Sequence, residues 1–102
     1  MVLSLSEYKV EFLRSLADNT RLKIIEALKE RERPVSELVE SVGSSQANIS
    51  THLKLLRSAG IVKSRNKGKY VYYSLRDESI LEFLNSLEEM LILMRRKSFE
   101  GA

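Results

Sequence analysis

Two short helical segments separated by a single glycine restrict the fold of this chain more than any other feature of its sequence. Ser36 is the predicted cap of the first segment, and Gly43 suits its C-terminal end. Ser44 or Ser45 can cap the second segment, which ends at Gly60. The apolar residues spaced to face a core are Leu38, Val39, Val42, Ile49, Leu53 and Leu56. Two helices of about two and four turns, joined by so tight a turn, predict a helix-turn-helix.

A hairpin is predicted directly after these two helices. The runs 61–66 and 70–75 are rich in Val, Ile and Tyr, and Lys67 with Gly68 suits the turn between them. A helix-turn-helix followed by such a hairpin is the winged-helix arrangement. With helices on either side, the expected fold is mostly α with a β-hairpin, in the order of four helices, two strands and a fifth helix. A chain of this length is expected to form a single domain, spanning 1–102.

Two of those helices precede the helix-turn-helix. The segment 7–16 has helical spacing, and Asp18 or Asn19 can cap a second helix that Pro34 stops. The charge run 29–33 is interpreted as the solvated end of this second helix.

The last helix follows the predicted cap Asp77 and runs to about residue 97, and it is apolar on several sides. One apolar stripe would cover the core, and the surplus needs a second partner. The same helix of a second, two-fold related copy is the simplest partner. A helix buried entirely within its own chain is the alternative, which a domain of this size cannot easily provide.

Charge is unevenly distributed along the chain. The net charge is +3, but the segment 41–76 has no Asp or Glu and carries +7, which leaves −4 for the remainder. Such a cationic segment attracts a polyanion, so double-stranded DNA is the predicted partner. The alternative is an ordinary solvated helix and hairpin. The absence of Cys excludes a disulfide framework, a thiol switch, a thiolate zinc site and a Cys nucleophile.

The second helix of a helix-turn-helix enters the major groove and presents its N-terminal side chains to base edges. Amides can pair with adenine and hydroxyls suit several bases, although capping and plain helix surface are alternative roles. We expect the helix 45–58 to lie in the major groove and the hairpin 61–75 to lie on the minor groove or backbone. The predicted DNA-contacting residues are Ser45, Gln46, Asn48, Ser50, Thr51, His52, Lys54, Arg57, Arg65, Lys67 and Lys69.

Four segments together resemble one known family. They are 16–28 (LADNTRLKIIEAL), 45–53 (SQANISTHL), 59–62 (AGIV) and 68–74 (GKYVYYS), and they are similar to the ArsR family of winged-helix repressors. The resemblance implies a homodimer through the first and last helices, a palindromic operator near a promoter, and repression relieved by an effector. The corresponding interface residues are Tyr8, Phe12, Ile80, Phe83, Leu84, Leu87, Leu91 and Met94.

Many members of that family sense metals through residues that differ here. Where a Cys-Val-Cys-Asp-Leu motif often stands, this chain has Pro-Val-Ser-Glu-Leu at 34–38. Asp77 matches a second common site, but Ser79 replaces its His and no His follows. Carboxylates alone would form a weak site for hard ions. We therefore expect no metal and no cofactor, and the sequence indicates no particular effector.

The leading prediction is a dimeric, sequence-specific transcription regulator that acts as a repressor, and not an enzyme. Ser50 and His52 are two residues apart on one helix and cannot face each other, and no catalytic motif is present. The alternatives are a winged-helix protein-interaction module and a weakly specific architectural DNA-binding protein. The longest apolar run, 90–94, has five residues and no secretory signal is visible, so we expect a cytoplasmic protein without a membrane partner.

Overall fold

The computed structural model describes residues 2–99 as five helices and one small antiparallel sheet. The helices are α1 (Leu5–Leu16), α2 (Asn19–Leu28), α3 (Val35–Val42), α4 (Gln46–Ser58) and α5 (Glu78–Phe99). The strands are β1 (Arg33–Pro34), β2 (Val62–Lys67) and β3 (Tyr70–Leu75). The helix-turn-helix is therefore α3–α4, and the hairpin β2–β3 is the wing. A single domain over 1–102 remains a prediction, and its residues 1 and 100–102 lie outside the described ones.

Local hydrogen bonds fix the start of two helices as the sequence predicts. Asp18 caps α2, because its carboxylate accepts the backbone N–H of Arg21 at 3.0 Å. Ser45 caps α4, because its hydroxyl accepts the backbone N–H of Asn48 at 3.1 Å. Gly43, with φ of 76°, ends α3 in the left-handed conformation that glycine adopts without strain.

The start of α3 differs from the prediction. Pro34 takes the N-cap position and provides no side-chain hydrogen bond, and Ser36 lies inside the first turn. The predicted Ser36 cap is therefore wrong. Proline can hold this place because its φ of −75° suits an extended residue before a helix.

A third strand lies in the charge run that follows α2. Arg33 and Pro34 pair with Tyr73 and Tyr72 respectively, and the sheet order is β1-β3-β2. The Arg33 side chain turns back to α2, where its Nε donates to the carbonyl of Ala27 at 2.6 Å. The interpretation of this run as a solvated helix end is therefore wrong for Arg33, whereas Glu30 and Arg31 are exposed just after α2. Two residues are too few to show strand alternation in a sequence.

The core lies where the four N-terminal helices meet the wing and the first turns of α5. Its buried apolar residues are Leu16, Ile24, Ile25, Leu28, Leu38, Ile49, Leu53, Leu56, Ile61, Val62, Ile80 and Leu84. Ile80 and Leu84 were predicted to lie in a dimer interface. Each is only 4% exposed, so both belong to the core of their own chain instead. They form the stripe with which α5 packs on its own chain. Among residues 2–99, no helix is long and apolar enough to cross a membrane.

Candidate nucleic-acid interface

The first two turns of α4 present a row of polar side chains to solvent. Ile49 on the opposite side of the helix is completely buried, which fixes the row in place. The Asn48 amide donates to the Ser44 hydroxyl at 2.7 Å, and the Thr51 hydroxyl donates to the Ala47 carbonyl at 3.0 Å. The exposed polar row consists of Ser45, Gln46, Asn48, Ser50 and Thr51.

Gln46 differs from Asn48 and Thr51 in this row. Its side chain makes no hydrogen bond within residues 2–99, whereas Asn48 is bonded to Ser44 just before α4 and Thr51 to Ala47 within α4. A groove of about 310 Å³ between the helix-turn-helix and the wing brings Gln46 near Lys69 and Tyr70. An amide with free donors and an acceptor beside a cation can bind a base edge next to a phosphate.

His52 is placed differently from the rest of the predicted contact residues. Its side chain is only 15% exposed, and its Nδ1 lies 3.2 Å from Nη1 of Arg21 on α2. Asp18 Oδ2 is 4.0 Å from the same nitrogen. The bond from the Arg21 backbone N–H is the main reason that the pKa of Asp18 lies below its ordinary value. His52 therefore joins α4 to α2 instead of extending the exposed row.

Five cations of the acid-free segment form no ion pair with any acid in residues 2–99. These exposed cations are Lys54, Arg57, Lys63, Lys67 and Lys69. Lys67 lies 5.4 Å from the ring centroid of Tyr72, which is a cation–π contact across the wing. They lie on α4 and the wing, the two elements that the winged-helix prediction brings to DNA.

The remaining two cations of the segment are neutralised by acids from outside it. Arg76 Nε lies 3.0 Å from Asp77 Oδ2. Arg65 donates to both carboxylate oxygens of Glu32 through Nε and Nη2, and its Nε lies 2.8 Å from Oε2. That hydrogen bond is the main cause that lowers the pKa of Glu32. The pairing was not predicted, because Glu32 is 33 residues away and no local pattern signals a long-range partner.

Apolar side chains of α1 and α5 remain uncovered on another surface. The five residues 90–94 are between 49% and 58% exposed, and Tyr8 and Phe83 are exposed as well. Phe12 and Leu87 are half-buried, and the rings of Phe12 and Phe83 meet edge to face at 5.5 Å. A cavity of about 540 Å³ opens beside this aromatic pair. Within residues 2–99 nothing covers this surface.

No metal-binding cluster of three His, Asp or Glu side chains is found in residues 2–99. Asp77 is already engaged by its neighbours. Its carboxylate accepts the hydroxyl of Ser79 at 2.5 Å and the guanidinium of Arg76. The Ser79 bond is the largest cause that lowers the pKa of Asp77 to about 2.

Comparison with known proteins agrees with this architecture. The family model described as "Bacterial regulatory protein, arsR family" matches residues 18–64. The uncharacterized HTH-type transcriptional regulator Rv0081 of Mycobacterium tuberculosis is 40% identical over 88 residues, which are 85% of this chain and 77% of that protein. The "Transcriptional repressor SmtB homolog" of Synechocystis is 34% identical over 91 residues, which are 89% of this chain and 69% of that protein.

Solved structures show the same fold. The crystal structure of Rv0081 aligns with a TM-score of 0.84 and 36% identity, and covers 99% of this chain and 100% of that chain. The solution structure of a homodimeric winged helix-turn-helix DNA-binding domain, Mb0332 of Mycobacterium bovis, aligns with a TM-score of 0.78. Its identity is 24%, with 96% of this chain and 87% of that chain covered, so this likeness concerns the fold alone.

These relatives are transcriptional regulators, which favours the regulator prediction over the protein-docking and enzyme alternatives. The winged helix-turn-helix predicted from the sequence is confirmed by the structure and by its neighbours. An identity of 40% over three quarters of a whole regulator, on the same fold, places this chain in the arsR family of bacterial regulatory proteins.

Proposed function

We propose that this regulator is a homodimeric repressor that binds a palindromic operator, with α4 in the major groove and the wing on the adjacent backbone or minor groove. The observation that carries the proposal is the exposed polar row of α4, which lies between five cations without an acidic partner in residues 2–99. The hydrogen-bonding groups of the polar side chains provide sequence specificity, and the cations provide affinity for any duplex.

Apart from His52, the predicted contact residues divide into two groups on this view. Members of the polar row read base edges, because they sit on the first two turns of the helix that enters the groove. The cations of α4 and the wing neutralise phosphates, and Arg65 contributes less than the others because Glu32 offsets its charge. The base-reading group is Ser45, Gln46, Asn48, Ser50 and Thr51, and the phosphate group is Lys54, Arg57, Arg65, Lys67 and Lys69.

A second copy of the chain would cover the exposed surface of α1 and α5. The 22 residues of α5 extend over about 33 Å, and its second half lies beyond the core of its own chain. Two-fold pairing would bury this half. Half-sites one helical turn apart require the two copies of α4 to lie about 34–36 Å from each other. The residues proposed for this interface are Tyr8, Phe12, Phe83, Leu87, Leu91 and Met94.

A duplex selected by the wild-type protein from a random pool provides the test. We expect log affinity to fall linearly with log salt, by about 0.9 for each phosphate that is neutralised. The selected sequences should contain two inverted half-sites one helical turn apart. A flat salt response, or equal affinity for selected and bulk DNA, would contradict the proposal.

We place the action of this regulator in the cytoplasm, where a bacterial operator is accessible. Operator binding on this proposal uses the side chains of the chain itself and no metal or cofactor. Adding a chelator to the wild-type protein should therefore leave the affinity for the selected duplex unchanged.

A further inference from the structure

We propose that His52 serves DNA binding as a positioning residue, held by Arg21, and does not itself contact the duplex. The inference rests on the proposed function and concerns how α4 is oriented. It starts from the position of His52, which is one helical turn after Asn48 on the same side of α4.

Arg21 connects three helices through one guanidinium. Its Nε donates to the carbonyl of Ser15 at 2.6 Å, and its Nη2 donates to the carbonyl of Arg14 at 3.2 Å. Its Nη1 reaches Nδ1 of His52 at 3.2 Å. A single side chain of α2 thus ties the last turn of α1 to the recognition helix α4.

This contact fixes the state of the imidazole. A guanidinium can only donate hydrogen bonds, so Nδ1 of His52 must be the acceptor and the ring proton lies on Nε2. Asp18 does not compete for Nδ1, because its Oδ2 is 4.0 Å away and accepts the Arg21 backbone N–H at 3.0 Å.

The bond restrains the helix at the place where its orientation matters most. Leu53, directly after His52, is completely buried and holds α4 against the core. The hydrophobic contact resists translation, and the directional bond from Arg21 resists rotation of α4 about its own axis. Rotation would swing the tips of Gln46 and Asn48 away from base edges, since hydrogen bonds weaken steeply with angle.

Two substitutions of His52 distinguish the role of its Nδ1 from the role of its Nε2. In His52→Asn the amide oxygen can stand where Nδ1 stood and accept from Arg21, while the Nε2 donor is lost. In His52→Gln the amide nitrogen can stand where Nε2 stood, and the acceptor beside Arg21 is lost. We expect His52→Asn to bind the selected duplex within about threefold of wild type, and His52→Gln to lose tenfold or more with a smaller loss on random duplex.

Three outcomes would overturn the proposal. A loss for His52→Asn alone would show that Nε2–H contacts the duplex directly. Wild-type affinity for both variants would show that His52 has no role. A comparable loss for both would show that an acceptor at the Nδ1 position is insufficient. Both variants are compared at temperatures where circular dichroism shows them folded.

A nitrogen NMR measurement on the free wild-type protein keeps the proposal testable without DNA. His52 is the sole histidine, so the ring signals need no assignment. We expect the proton on Nε2 and an unprotonated, hydrogen-bonded Nδ1 near neutral pH. A proton on Nδ1 would overturn the proposal. If the wild-type protein did not prefer its selected duplex, the proposed function would fail while this measurement still decided the Arg21–His52 bond.

Discussion

The guanidinium of Arg65 on the wing binds the carboxylate of Glu32 in the segment between α2 and β1, with Nε 2.8 Å from Oε2. The guanidinium binds with its Nε–Nη2 edge, and the carboxylate offsets its positive charge, so Arg65 attracts a phosphate less strongly than an unpaired cation does. Glu32 also lies in the field of Lys63 and Lys67, which contribute to its lowered pKa. One carboxylate thus reduces the positive potential of the whole wing.

Glu32→Gln should therefore strengthen DNA binding. The substitution releases Arg65 and removes a negative charge from the wing, while β1 still pairs with β3 and retains the hairpin. We expect higher affinity at low salt and a slope of log affinity against log salt that is steeper by about 0.9. Glu40→Gln makes the same charge change on an exposed residue of α3 and is the control. An unchanged slope would show that Arg65 does not reach a phosphate.

Gln46→Ala should weaken the selected complex by about 1–3 kcal/mol and leave binding to random duplex nearly unchanged. The reason is that Gln46 carries unengaged donors and an acceptor but no charge. Fluorescence anisotropy with both duplexes measures the difference, and Asn85→Ala on exposed α5 is the matched control. Equal losses on both duplexes would mean that Gln46 does not read a base.

Replacement of Lys67 and Lys69 by Gln should weaken binding to selected and random duplexes alike. Both cations lie at the tip of the wing, and each phosphate contact that is lost should lower the salt slope by about 0.9. The control is the double variant in which Lys9 of α1 and Lys23 of α2 are replaced by Gln. It removes the same total charge and should change the salt slope less than the wing variant does. A loss confined to the selected duplex would instead indicate that the wing reads sequence or shape.

Introduction of charge at Leu91 and Met94 tests the proposed dimer. Both are about half exposed on the second half of α5, so Glu at these positions leaves the core of the chain intact. We expect analytical ultracentrifugation to show monomers and the affinity for a two-half-site duplex to fall by at least tenfold. Leu22→Glu, at an equally exposed position of α2, should remain dimeric. Dimers of the Leu91 and Met94 variant would contradict the proposed interface.

Acid stability should depend on Asp77. Its pKa is lowered to about 2 from an ordinary value of 3.8, so the charged form is favoured by the folded state. The stabilisation is complete above about pH 4, and it is lost as the pH falls through the folded pKa. Asp77→Asn keeps a side chain that can cap a helix. When the pH is lowered from 4 to 2, the melting temperature of this variant should fall less than that of wild type. Glu78→Gln is the control, and parallel curves for Asp77→Asn and wild type would contradict the assignment.

Local patterns predicted the elements well, since caps, glycines and apolar spacing act within a few residues. Ser45, Gly43 and the buried stripe of α4 all follow from such signals. Apart from the Ser36 cap, the errors involve partners that are distant in sequence. Arg33 becomes a strand residue only because β3 lies beside it.

The candidate site shows the same division between what could and could not be predicted. Exposed polar residues at the start of α4 follow from its periodicity. The engagement of Arg65 by Glu32 and of His52 by Arg21 depends on tertiary contacts that no spacing records. Likewise, periodicity alone could not show which apolar residues of α5 face their own core and which face outward.

Without a duplex, the Asn48 amide donates to the Ser44 hydroxyl just before α4 and the Thr51 hydroxyl donates to the Ala47 carbonyl within α4. On the proposed function, a mismatched sequence would offer these two groups no better partners, so they would keep their bonds and only the five unpaired cations would hold the duplex. That weak, uniform grip permits sliding from site to site. On the proposed function, a sequence with matching acceptors and donors would replace these bonds with bonds to base edges, so the same exchange of hydrogen bonds would end the search and hold the protein at one site.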